Sequence, residues 1–164
     1  MLLVPRESGL RVASEADTEV VYTLVQETIR AVYPSYYEPA IVEAFCRLHN
    51  RDAVAKDVKL GKVVLLESDG RAVGTGTLDG CHVTRVFVRP SCQGSGFGSM
   101  VMGCLETSAS ASFETTVLDS SAPAERFYQN RGYRVTGLGT WEIAPEGNLP
   151  QAALTYKVME KQLI

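Results

Sequence analysis

Thr84-Arg85-Val86-Phe87-Val88-Arg89-Pro90-Ser91-Cys92-Gln93-Gly94-Ser95-Gly96-Phe97-Gly98-Ser99-Met100-Val101-Met102-Gly103-Cys104-Leu105-Glu106 is the stretch whose reading decides the fold. Val86, Phe87 and Val88 favour a strand, and Arg89-Pro90 stops its ladder because proline supplies no N–H. Ser99 to Glu106 then has helical spacing, with Met100, Val101, Cys104 and Leu105 along one side. The pattern predicts a strand aimed through the Gln93–Gly98 turn into a helix start. Such a turn exposes backbone N–H groups at the positive end of the helix dipole, and glycines let an anion approach without Cβ atoms in the way. The expected guest is a phosphate or a diphosphate.

Two nucleotide motifs are excluded by what is absent. A P-loop ends in Gly-Lys-Ser or Gly-Lys-Thr, whereas Gly98 is followed by Ser99 and Met100. A dinucleotide turn places its glycines as G-x-G-x-x-G in the first βαβ unit; here Gly94, Gly96 and Gly98 alternate near mid-chain. The string Val88-Arg89-Pro90-Ser91-Cys92-Gln93-Gly94-Ser95-Gly96-Phe97-Gly98 instead resembles the V-x-P-x-x-(R/Q)-G-x-G-x-G signature of the GCN5-related N-acetyltransferases. The resemblance implies that Gln93, Gly94, Ser95, Gly96, Phe97, Gly98 and Ser99 hold the diphosphate of acetyl-coenzyme A.

At 164 residues the chain is expected to form one domain, residues 1–164, with a sizeable core. Hydrophobic residues make up 45% and mean hydropathy is −0.01, as in an ordinary soluble globule. No apolar run approaches the ~20 residues of a membrane helix, and Met1 to Arg6 is too short for a signal peptide, so a cytoplasmic protein without membrane contact is expected. Cys46, Cys81, Cys92 and Cys104 form no C-x-x-C pair and have no His-rich partner pattern, which argues against a disulfide framework and a metal site and for reduced thiols. Cys92, beside the turn, is either a reactive thiol or a tolerated small residue. Sixteen basic residues against 19 acidic ones, with no basic run, argue against nucleic acid as a partner.

Outward from the turn, the chain predicts an α/β fold. Leu10 to Ala13 is a short strand. Ser14 and Asp17 can cap a helix that carries Val20, Val21, Leu24, Val25, Thr28 and Ile29 on one stripe and ends at Pro34. Tyr33 to Pro39 holds three of the seven tyrosines together with two prolines, either as a connection packed on the core or as the wall of an acceptor pocket. Helices over Ala40–Leu48 and Asp52–Lys59 follow. Lys62–Glu67, Ala72–Leu78 and Cys81–Val88, joined by Asp69-Gly70 and Asp79-Gly80, form an antiparallel meander. The helix from Ser99 occupies the next connection, so Thr115–Leu118 should run parallel to the third meander strand. After a helix bounded by Pro123 and Gly132 come strands at Tyr133–Thr136 and Ala152–Met159. Gly137 to Pro150 between them is too long for a tight hairpin. Its Trp141, Glu142 and Glu146 line an acceptor pocket, meet a second subunit in a homodimer, or sit on a solvated hairpin tip.

The order of elements also resembles the acetyltransferase family over nearly the whole chain. The fold it implies is a mixed, mostly antiparallel central sheet of about six to seven strands with a splayed parallel pair and helices on both faces. By that analogy the backbone of Val86, Phe87 and Val88 binds the pantetheine arm.

Glu125-Arg126-Phe127-Tyr128-Gln129-Asn130-Arg131-Gly132-Tyr133 resembles the family segment A-x-x-F-Y-x-x-x-G-(F/Y). The implied role of Tyr128 is to protonate the departing thiolate, or else to pack on the coenzyme; a phenol of ordinary pKa near ~10 is suited to the first. Ser121 stands where the family often has Asn, leaving only a hydroxyl to meet the coenzyme.

The amine acceptor must lose a proton before it attacks. Some family members place a catalytic Glu eleven residues before the Gln or Arg of the turn, which lands on His82. A histidine there can take a proton directly or through water. Glu43, His49, Asp79 and a water chain are alternative bases. The two-residue period puts His82, Thr84, Val86 and Val88 on one face of the strand and Val83, Arg85, Phe87 and Arg89 on the other. Two functions follow: acetyl transfer from acetyl-coenzyme A to a primary amine by direct attack in a ternary complex, or a regulatory module that binds acyl-coenzyme A without turnover.

Overall fold

The computed structural model describes all 164 residues. Strand β1 (Leu10–Val12) gives way to a helix start at Ser14, whose N–H and hydroxyl both donate to Asp17 Oδ2 (2.8 and 3.1 Å). Helix α1 (Thr18–Val32) buries Val21, Leu24, Val25, Thr28 and Ile29, while Val20 at the edge of the expected stripe is exposed. Pro34 does end it, in a 3-10 turn over Tyr33–Ser35. Pro39 opens α2 (Pro39–Leu48), and Asn50 caps α3 (Arg51–Lys59) by accepting from the Ala53 N–H at 2.8 Å.

The meander is β2 (Val63–Ser68), β3 (Arg71–Asp79) and β4 (His82–Val88). Helix α4 (Phe97–Ser110) starts two residues earlier than its apolar spacing suggests, directly on the glycine turn. Then come β5 (Thr115–Ser120), α5 (Glu125–Asn130), β6 (Arg134–Ile143) and β7 (Ala152–Gln162). The seven strands lie in the order β1-β2-β3-β4-β5-β7-β6, with β4 and β5 the one parallel pair. One core lies between the sheet and α4, around Val101, Met102, Leu105, Leu118 and Met159; another lies between the sheet and α1 to α3, around Leu24, Val25, Val54, Leu65 and Phe87.

Two expectations are corrected. The segment from Gly137 to Ile143 is strand, paired along its whole length with β7 (Leu138 opposite Lys157, Ile143 opposite Ala152), so only residues 144–151 are left as loop. Its glycines look like breakers, but the Tyr156 ring lies across Gly139, where a Cβ would meet ring atoms, and takes the place of a side chain there. The second correction concerns β4. Thr75 pairs with Phe87 and Thr77 with Thr84, so Arg85 and Val86 together oppose Gly76 alone. Arg85 adopts φ +52°, a bulge geometry. The extra residue breaks the two-residue period: Val83 packs in the α4 core and Phe87 in the α1 to α3 core, on opposite faces rather than on one.

No helix is long and apolar enough to cross a membrane. Cys46 and Cys104 are buried, Cys81 and Cys92 half-buried.

Candidate active site

The parallel pair is barely a pair. Its register is His82 opposite Val117 only, with the Val117 N–H bonded to the Cys81 carbonyl at 3.0 Å. Beyond His82 the strands diverge, because β5 is held to β7 over Thr115 to Ser120 while the bulge turns β4 away. The edge of β4 from Arg85 to Val88 is left without a neighbour on that side.

The glycine turn sits at the mouth of this gap. Gly94 and Gly96 have φ +83° and +84°, and each faces open space where a Cβ would project. Gly96 caps α4 without any side-chain acceptor, and the first backbone bond of the helix runs from the Met100 N–H to the Gly96 carbonyl. The N–H groups of the first turn therefore point outward without partners, at the positive end of a 14-residue helix. The Gln93 side chain is committed differently, donating to the Val88 carbonyl at 3.0 Å and so fixing the strand-to-turn corner.

Two cavities meet here. The first, about 460 Å³, runs from the glycine turn along β4 to Ser121 and Tyr128. It takes in Val86, Phe87, Val88, Gln93, Gly94, Gly96, Phe97, Gly98 and Ser99 from the expected coenzyme set; Ser95 alone of that set stands outside the lining. Sequence reasoning missed Thr28 and Val32 of α1 and Phe127 of α5, which close the sides. Helical apolar residues are read as core, so nothing in their pattern marked them. Cys92 lines this cavity with its sulfur 3.7 Å from the Ser91 hydroxyl.

The second cavity, about 320 Å³, adjoins the first. His82, His49 and Asp119 line it together with Phe45, Trp141 and Tyr156. Tyr33, Val86, Phe87, Ser121, Ala124 and Tyr128 belong to both cavities, so the two are neighbours through a common wall. Tyr33 from the tyrosine-rich connection thus both packs in the core and walls the site, while Tyr37 Oη accepts from the Ala122 N–H at 2.7 Å and ties that connection to the segment after β5.

Tyr128 is buried, and desolvation pushes its phenol above the ordinary range. Tyr33 is raised to about 12 for the same reason. His82 stands at the fork, 42% exposed, with Nε2 3.8 Å from Asp119 Oδ2. Of the other proposed bases, Glu43 is held by Arg30 at 2.7 Å and Asp79 by Lys62 at 2.8 Å, and neither lines either of these two cavities. His49 does. Burial first, and then the Arg85 charge, lower its pKa to about 3, and its Nδ1 accepts from Arg85 Nε at 3.1 Å. Arg85 Nη1 in turn donates to Asp57 Oδ2 at 2.9 Å. No group of three or more His, Cys, Asp or Glu side chains is placed to hold a metal ion.

A splayed parallel pair with a glycine turn at its mouth defines the acyl-coenzyme A N-acyltransferase class of fold. Residues 25–141 match the family model described as the acetyltransferase (GNAT) domain, and the chain belongs to that family. Among solved structures, a GCN5-related N-acetyltransferase from Rhodopseudomonas palustris superposes with TM-score 0.82 at 23% identity, over 99% of this chain and 98% of that one. The PaiA N-acetyltransferase of Thermoplasma acidophilum, in complex with coenzyme A, gives TM-score 0.69 at 13% identity over 93% and 97%. The N-acetylglutamate synthase of Neisseria gonorrhoeae, complexed with coenzyme A and N-acetyl-glutamate, gives 0.65 at 15% over 94% and 35%. At these identities the likeness establishes the fold. Comparison with curated proteins returns no match.

Proposed function

We propose that residues 1–164 act as a single acetyltransferase domain that moves an acetyl group from acetyl-coenzyme A to a primary amine by direct attack in a ternary complex. The observation that carries this reading is the common wall of Tyr128, Val86 and Phe87, because it brings whatever fills one cavity against whatever fills the other.

The first cavity suits the coenzyme in chemistry as well as shape. Unpartnered N–H groups at the start of α4 and the open faces of Gly94 and Gly96 suit a diphosphate, and the free edge of β4 offers backbone groups to an amide-bearing arm. Backbone N–H groups of Val86 to Val88 polarise the thioester carbonyl. His82 takes the proton that the ammonium must lose, directly or through a water, and Asp119 stabilises the charge that results. As the N–C bond forms and the C–S bond breaks, Tyr128 donates its proton to the sulfur and recovers one from solvent. The same desolvation that raises the Tyr128 pKa disfavours a free thiolate beside it, so donor and acceptor stay matched.

Thiol release in the presence of acetyl-coenzyme A and a panel of amines tests the proposal. Release that saturates with at least one amine is the expected result. Coenzyme binding with no release across polyamines, aminoglycosides, amino acids and peptide N-termini would leave a coenzyme-binding module instead.

A further inference from the structure

The second cavity has a chemistry of its own, and it selects among amines. Its far wall is aromatic. Phe45 and Trp141 meet edge to face with centroids 5.3 Å apart, Tyr33 stands 4.9 Å from Phe45, and Tyr156 joins them from β7. Tyr156 reaches this position because Gly139 opposite it has no side chain. Asp119 is the one carboxylate on the lining, and its neighbour is His82. A molecule with several ammonium groups finds no second counter-charge here.

The floor carries an unpartnered donor. His49 Nδ1 is occupied as an acceptor by the Arg85 Nε–H, so the neutral ring carries its proton on Nε2. Nothing in the protein accepts from that N–H, although the ring is packed edge-on against Phe87 at 5.9 Å and lines the cavity. Such a half-buried donor is satisfied by a ligand oxygen or by water. The Arg85 charge is matched by Asp57 at 2.9 Å, so the floor is electrically neutral and suits a carbonyl better than a carboxylate.

Resting on the transfer reaction above, we infer that the acceptor is a primary monoamine on an aromatic body that carries one neutral carbonyl, which accepts a hydrogen bond from His49 Nε2. The amide of an aromatic amino acid is the simplest such molecule, and an aromatic peptide N-terminus is of the same chemistry. His49 is then a specificity residue for the acceptor, and Arg85, anchored by Asp57, is the group that fixes its tautomer.

The protein supplies its own probe, because Trp141 is its single tryptophan and lies in this wall. Trp141 emission is titrated, with coenzyme A present, against phenylalaninamide, phenethylamine and spermidine. Phenylalaninamide should bind about tenfold tighter than phenethylamine, which lacks the carbonyl, and spermidine should leave the emission unchanged. His49→Phe should erase the advantage of phenylalaninamide over phenethylamine. The wild-type comparison stands even where that variant fails to fold. Equal binding of phenylalaninamide and phenethylamine, or tighter binding of spermidine, overturns the inference. Thiol release keeps the two readings apart: saturable binding of phenylalaninamide without release removes the transfer reaction but not the pocket chemistry, whereas release with spermidine alone does the reverse.

Discussion

A phenol with little water around it holds its proton tightly, and Tyr128 is such a phenol. Tyr128→Phe removes the hydroxyl and leaves the ring, so its edge-to-face contacts with Phe127 (5.3 Å) and Tyr133 (5.6 Å) survive. The variant should bind coenzyme A as the parent does and lose about a hundredfold in kcat, as for other positioned acids. Isothermal titration for binding and thiol release for turnover separate the two effects; unchanged kcat would remove the acid role. Because the phenol is raised, kcat in the parent should not fall as pH rises through the ordinary phenol pKa of ~10. At this scale the sequence was informative wherever a residue type has few uses. Two glycines at positive φ announced the turn, and a Phe-Tyr pair ahead of Arg-Gly-Tyr marked Tyr128. It was silent on Arg85, since nothing about arginine signals φ +52°, and on its links to His49 and Asp57, which join three separate elements.

Helix α4 brings the turn to the mouth of the gap, and it does so by lying close on β3. A Cβ added at Gly76 would stand 2.6 Å from Val101 Cγ1 and 2.9 Å from Leu105 Cδ1, two fully buried side chains. Gly76→Ala should therefore destabilise the fold by about 1–3 kcal/mol, measured by urea denaturation, with the strain shared by the helix that carries the turn. Paired with Val101→Ala, the loss should be smaller than the sum of the two single losses, since each relieves the other. The element order was legible because apolar periods of two and 3.6 alternate with Asp-Gly turns. The length of β6 was not, because Gly137 and Gly139 carry no strand signal of their own and the ring that covers Gly139 comes from another strand. Nor was the bulge in β4, which follows from pairing rather than from composition.

The molecule as a whole should be sensitive to mild acid, and the cause is His49. In the fold its pKa falls to about 3 because burial and the Arg85 charge disfavour the imidazolium; in the unfolded chain it returns to about 6.5. Between those values the unfolded state binds the extra proton. The stability this group contributes is therefore complete above about pH 6.5 and is lost as pH falls toward 3. Asp17 moves the same way at lower pH: the Arg11 guanidinium depresses its pKa, so its contribution is present above the ordinary carboxylate range and is lost below it. The interval from about pH 6.5 to 5 lies above the carboxylates and so separates His49 from them, and comparison with the variant, which keeps His82, singles out its contribution. Thermal unfolding midpoints should drop across that interval in the parent and stay level in His49→Phe.

The two cavities have separate linings except for the wall they share around Tyr128, Val86 and Phe87. If coenzyme and amine fill one cavity each, as proposed, spent coenzyme can leave without displacing the amide product. Steady-state inhibition should carry that signature, with coenzyme A competing against the acetyl donor and not against the amine.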